Sequence, residues 1–138
     1  MLREKSCGAI VFRKNSGVEY LLMHYGAGHW GFVKGNVEPN ESEKDTAMRE
    51  LKEETGIDEA HFVEDFREKV SYFYKRGGKT VYKEVVFFLI QAKDSKVRLS
   101  YEHVGYEWLN YQEAVKRLTF RNSIKVLQKA NEYLKRAL

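Results

Sequence analysis

Residues 35–57 read GNVEPNESEKDTAMRELKEETGI, and this stretch decides the fold. Its second half carries helical punctuation. Ser42 followed three residues later by Asp45 resembles a capping box, and Gly56 supplies a stop, so a helix is expected from about Glu43 to Thr55. With Glu50 set at zero and about 100° added per residue, Glu54 falls at roughly 40° and Glu53 at roughly 300° on the helical wheel. The three carboxylates share one sector and border the apolar residues Ala47, Leu51 and Met48. Such crowding is repulsive, and Glu53 and Glu54 also sit near the negative end of the helix dipole. A divalent cation turns that repulsion into binding, and hard oxygen ligands cooperating with phosphate describe a Mg²⁺ site. Arg49, one turn before Glu53, is spaced to hold its carboxylate. Taken alone, a Glu-rich helix is more often a solvated acidic face with Lys and Arg pairing.

Outward from this helix the chain reads as alternating strands and turns. Residues 6–13 and 18–24 are expected as a hairpin across Asn15-Ser16-Gly17, and residues 25–31, with three glycines, as a loop. Residues 62–75 and 80–93 are rich in Val, Tyr and Phe and form a second hairpin through Arg76-Gly77-Gly78-Lys79. A short strand is expected over residues 105–109. Helical periodicity covers 111–118 and 122–137, where Ile124, Leu127, Ala130, Leu134 and Leu138 recur every three or four places. The fold class is α/β, a mixed sheet sandwiched between helices in an α/β/α arrangement.

Composition narrows the function. The chain has 138 residues, 43% of them hydrophobic, which makes one domain spanning 1–138 with a real core. No apolar run is long enough to span a bilayer, and the first residues lack a signal-peptide layout. The single cysteine, Cys7, lies in an apolar strand and reads as a packing residue in a reducing cytoplasm. A net charge of +4 suits an anionic small molecule and does not demand nucleic acid, because the basic residues are scattered. The sequence leaves the oligomeric state open.

Gly35, five residues, Glu41, seven residues and then Arg49-Glu50-Leu51-Lys52-Glu53-Glu54-Thr55-Gly56-Ile57 resembles the complete Nudix box, with every defined position filled. The resemblance implies the Nudix fold and metal-assisted attack of water on phosphorus in a nucleoside diphosphate linked to another group. Gly8-Ala9-Ile10-Val11-Phe12-Arg13, His29-Trp30-Gly31-Phe32, Lys34-Gly35-Asn36-Val37-Glu38-Pro39, Lys79-Thr80-Val81-Tyr82 and Tyr101-Glu102-His103 are further similar to the asymmetrical diadenosine tetraphosphate hydrolases. Those enzymes split their substrate into ATP and AMP.

Carried onto this chain, the resemblance implies Glu50 and Glu54 as ligands of Mg²⁺ or Mn²⁺, and Glu53 as a further ligand or the base that activates water. It implies Glu102 as a metal-approaching glutamate from outside the box, Lys34 as a phosphate contact, and His29 and Lys79 as additional ones. Arg49 supports the catalytic cluster, while Gly35, Glu41 and Gly56 are structural. Tyr82 and Phe120 fall near an aromatic pair that sandwiches adenine, with Tyr72 and Tyr74 competing for the place of Tyr82. Glu53 and Glu50 both stay open as the base. Two positions depart from the family pattern: Val33 stands where proline is usual, and Asn40 where glycine is, a change that asparagine's tolerance of left-handed backbone makes harmless. Rival readings are another Nudix substrate (a nucleoside triphosphate, ADP-ribose or NADH, or an RNA 5′ end) and a non-catalytic nucleotide-binding module. A module of that kind has no need of the box glutamates, and here none is missing.

Overall fold

The computed structural model describes residues 1–93, 96–100 and 103–137. Its strands are β1 (Leu2–Lys14), β2 (Val18–Tyr25), β3 (Trp30–Gly31), β4 (Val33–Asn36), β5 (Ala60–Arg76), β6 (Lys79–Ala92) and β7 (His103–Leu109). The helices are α1 (Glu43–Thr55), α2 (Tyr111–Arg117) and α3 (Arg121–Ala137). The strands form one mixed sheet in the order β3-β2-β1-β6-β5, with β4 also pairing β1 and β7 pairing β2.

β1 and β6 are the central parallel pair, in register from Leu2↔Val81 to Phe12↔Gln91. Cys7 and Ala9 to Phe12 are all buried hydrophobics, as a strand covered on both faces requires. The strand period of two then sorts the core. Ala9, Val11, Val33, Ile90 and α1's Leu51 pack on one face. Ile10, Phe12, Val85, Phe87 and Leu89 pack on the other, against Ala114, Val126, Leu127, Ala130 and Leu134 of α2 and α3. The α/β/α arrangement read from the sequence is the observed one. Burial pushes the Cys7 thiol up to about 11, which keeps it an inert packing group.

α1 begins and ends where its signals lie. Ser42 Oγ accepts from the Asp45 N–H and the Asp45 side chain accepts from the Ser42 N–H, completing the capping box. Gly56, at φ 76°, donates its N–H to Lys52 O. Asn40 takes a φ of 67°, the left-handed conformation asparagine tolerates.

Three features differ most from the sequence reading. β1 starts four residues earlier than expected, because the polar segment Leu2–Lys5 extends the pairing with β6 past the core and shows no alternation to detect. The stretch 25–31 is not all loop, since Trp30 and Gly31 pair with His24 and Met23. β4 was not anticipated; it pairs antiparallel with β1 from Ser6↔Asn36 to Ala9↔Val33.

Candidate functional site

β4 organises the site. Pairing with β1 turns its residues alternately to the two faces of the sheet. Gly35 faces α1, and a Cβ placed there would lie 2.0–2.2 Å from the Glu50 carboxylate atoms. Only glycine lets that carboxylate approach the strand so closely. Lys34 faces the opposite way, into a cavity of about 390 Å³ on the α3 side of the sheet.

On the α1 side the carboxylates separate into two kinds. The side chains of Glu50 and Glu54 are 13% and 7% exposed, whereas that of Glu53 is 58% exposed. Glu54 Oε2 accepts the backbone N–H of Lys34 at 3.2 Å. Its Oε1 lies 3.0 Å from Nε2 of His103, close but off the line of the ring N–H. Arg49 is the hub of the outer part. Its Nε donates to Glu41 Oε2 at 2.6 Å, its Nη2 to Asn36 O at 3.0 Å, and its Nη1 to Glu53 Oε2 at 3.2 Å, while Nη1 also stands 3.5 Å from Glu50 Oε2. Glu41 additionally accepts from the Glu38 N–H and the Thr46 hydroxyl. The Arg49 guanidinium, with these donors, holds the Glu41 carboxyl down to about 2. Glu41 therefore ties the loop before α1 to the arginine that aligns the carboxylates.

The donor set fits a hard divalent cation. Among the described residues no three His, Cys, Asp or Glu side chains close around one point. Carboxylate oxygens are what a hard cation such as Mg²⁺ takes, alongside substrate phosphates and water. Glu102, the expected outlying ligand, lies outside the described residues.

Across β4, the cavity has Tyr72, Val70, Val85 and Phe87 on its floor and Phe120 at its rim, 55% exposed. His29 stacks on Tyr25 with centroids 4.5 Å apart and meets the Phe120 ring at 5.3 Å. Burial, with Lys34 and His24 nearby, lowers the pKa of the His29 imidazole. Burial likewise lowers the pKa of Lys34, against an opposing pull from Glu54.

Lys34, His29 and Phe120 thus come together, whereas Lys79 and Tyr82 do not join them. Lys79 stands at the β5–β6 turn, six residues before Val85, which on a strand is roughly 20 Å away. Tyr82 has the opposite parity to Val85 and Phe87. It lies on the α1 face of the sheet, against Phe73 at 5.2 Å and under Arg3 at 5.4 Å. Tyr72, the competing aromatic, is the one that lines the cavity.

Two further residues emerge only in three dimensions. Lys83, paired in register with Tyr72 and of the same parity as Val85, lies beside the cavity floor with its Nζ 3.3 Å from Asn36 Oδ1 and 3.4 Å from Glu4 Oε1. Counting back by twos from Val85 is the signal that finds it. His103 reaches the buried Glu54 from β7, and no local pattern announces that contact.

Residues 2–129 match the NUDIX domain model. The chain belongs to the Nudix family. Among its Nudix relatives, the asymmetrical bis(5′-nucleosyl)-tetraphosphatase of Mus musculus is 36% identical, covering 94% of this chain and 95% of the relative. The Sus scrofa enzyme of the same name is 38% identical with the same coverage. A crystal structure of a C. elegans Ap4A hydrolase binary complex superposes with a TM-score of 0.84 at 32% identity, covering 96% of this chain and 98% of that one. Nudix hydrolases generally depend on a divalent metal, in keeping with the carboxylates beside Gly35. No helix among the described residues is long and apolar enough to cross a membrane.

Proposed function

We propose that this chain hydrolyses diadenosine tetraphosphate to ATP and AMP. The observation that carries this reading is the division of labour across β4: the buried Glu54 and half-buried Glu50 on the α1 side, an aromatic-lined cavity on the other, and Lys34 between them. A cavity of about 390 Å³ with few polar groups suits a nucleobase and its sugar. The names of the mouse and pig relatives point to the same substrate.

In this proposal Glu50 and Glu54 hold Mg²⁺ or Mn²⁺, with Glu102 added on the strength of the sequence resemblance. A cation so held polarises phosphate oxygens and lowers the pKa of a bound water. Glu53, whose side chain reaches solvent and is steadied by Arg49, accepts the proton of the attacking water. Lys34 neutralises charge growing on the phosphate chain, and His29 donates a hydrogen bond to it. Tyr72 and Phe120 stack on the adenine, replacing the Tyr82–Phe120 pair expected from sequence. Gly35 supports catalysis by keeping Glu50 close to the strand that carries Lys34.

The test is a substrate panel with purified protein and Mg²⁺, read by chromatography. Diadenosine tetraphosphate is expected to yield equal ATP and AMP far faster than dGTP, ADP-ribose or capped RNA are cleaved. Two molecules of ADP as product, or a faster rate on another member of the panel, overturns the proposal.

A further inference from the structure

His103 stands at the start of β7, where the ladder with β2 slips. Gly105 pairs with His24, but the next partner of Tyr25 is His103, so Val104 is left out as a bulge and is 64% exposed. Without the slip, Val104 would occupy the pairing position and His103 would point elsewhere; a bulge is the standard means of re-aiming one side chain. The result is an imidazole with no exposed side-chain surface, packed against the Tyr25 ring at 4.6 Å and set 3.0 Å from Glu54 Oε1.

The segment that delivers His103 is fastened to the same helix end as Glu54. Arg98 N donates to Thr55 O at 2.7 Å, Ser100 N to Glu54 O at 3.3 Å, and His103 N to Ser100 O at 3.2 Å. Ser100 Oγ is 2.9 Å from His103 Nδ1. With the hydroxyl donating to Nδ1, Nε2 carries the ring proton and presents an N–H on the side of the carboxylate. The contact to Oε1 is 3.0 Å long but off the line of the ring N–H. Glu54 is thereby approached at both oxygens: Lys34 N–H at Oε2 and His103 Nε2 at Oε1. A buried carboxylate needs such donors, and two of them define its plane.

We propose that His103 is a positioning residue that fixes the orientation of the Glu54 carboxylate and so sets the affinity of the divalent-cation site. The proposal rests on the reading of Glu54 as a metal ligand. Donors behind metal-binding side chains are typically worth about 10- to 100-fold in metal affinity.

The experiment measures Mn²⁺ binding by electron paramagnetic resonance, together with Tm and kcat at saturating Mn²⁺, for the wild type, His103→Phe, His103→Gln, His103→Asn and Glu54→Gln. His103→Phe keeps the ring against Tyr25 but has no N–H, and is expected to weaken Mn²⁺ binding about 10- to 100-fold. His103→Gln carries an amide N–H at the reach of Nε2 and is expected to restore most of that affinity. His103→Asn places its amide at the level of Nδ1 and is expected not to, a rescue pattern that mere packing would not produce. If His103→Phe does not fold, Ser100→Ala carries the test: loss of the hydroxyl that orders the tautomer is expected to weaken Mn²⁺ binding at unchanged Tm, and unchanged binding overturns the proposal. Wild-type affinity in His103→Phe, or equal losses in His103→Phe and His103→Gln, also overturns it while leaving Glu54 a ligand. Wild-type affinity in Glu54→Gln removes the ligand reading itself, and the proposal falls with it.

Discussion

Replacing Gly35 with alanine probes the closest approach in the site. The added Cβ would sit 2.0 Å from Glu50 Oε2 and 2.1 Å from its carboxyl carbon, well inside the 3.0 Å below which real Cβ contacts essentially do not occur. The carboxylate must therefore retreat by about 1 Å or more. It is the far end of a flexible side chain, so the retreat is cheap for the fold, on the order of 1 kcal/mol, at the low end of overpacking costs. It is expensive for chemistry, because a misplacement of about 1 Å in a catalytic constellation costs on the order of 100-fold. Gly35→Ala is thus expected to lower kcat/KM about 100-fold, equivalent to roughly 2.7 kcal/mol of transition-state stabilisation, with a Tm lowered by only a few degrees. Steady-state hydrolysis of diadenosine tetraphosphate and a thermal melt give both quantities. A double-mutant cycle with Glu50→Ala isolates the cause: once the carboxylate is gone, adding the methyl group should cost little more. Near-normal kcat/KM in Gly35→Ala, or costs that simply add in the double mutant, would refute the steric reasoning.

Aromatic substitutions separate the two faces of the sheet. Tyr72→Ala and Phe120→Ala are each expected to raise KM by about 10-fold or more, since base stacking on an aromatic ring is worth about 1–3 kcal/mol, whereas Tyr82→Ala should leave KM within twofold of wild type. Glu41→Gln tests the Arg49 hub through pH. The Glu41 carboxyl is held at about 2 against an ordinary 4.5, so the stability it contributes is present above pH 4.5 and is lost as pH falls towards 2. The Tm difference between wild type and Glu41→Gln is therefore expected to be full at pH 6 and to shrink steadily below pH 4.5; a difference that does not vary with pH would count against the ion pair. Lys34→Met is expected to lower kcat/KM about 10- to 1,000-fold by removing a cation from the phosphate path, read by the same kinetic assay, and a change below twofold would remove Lys34 from the site.

Much of this architecture is legible in the chain because local rules and the global fold agree. α1 announces itself by Ser42, Asp45 and Gly56, and the wheel places Glu50 and Glu54 on the side that meets the sheet. Glu53 occupies the same sector on the wheel, yet its side chain is 58% exposed and pairs with Arg49 at 3.2 Å. β4 escapes notice because Val33-Lys34-Gly35-Asn36 has neither β-propensity nor alternation, and it exists through its pairing with β1. Tyr82 illustrates a second limit. Spacing from a turn locates a strand but leaves its parity open, and a shift of one residue exchanges the faces. Parity is settled by the register with β1 and β5, and it selects Tyr72 and Lys83 for the cavity side. The meeting of His103 with Glu54 depends on the bulge at Val104 and on the docking of residues 96–100 against the end of α1, two tertiary features with no local sequence signal.

Glu54→Gln, assayed for hydrolysis of diadenosine tetraphosphate at saturating Mg²⁺ and checked for native fold by circular dichroism, tests most directly whether the carboxylates of α1 run the chemistry. The substitution keeps the shape and the backbone N–H partner of Glu54 but removes its charge, and it is expected to lower kcat by two orders of magnitude or more with an unchanged spectrum. Turnover within a few-fold of wild type in the folded variant would contradict that role.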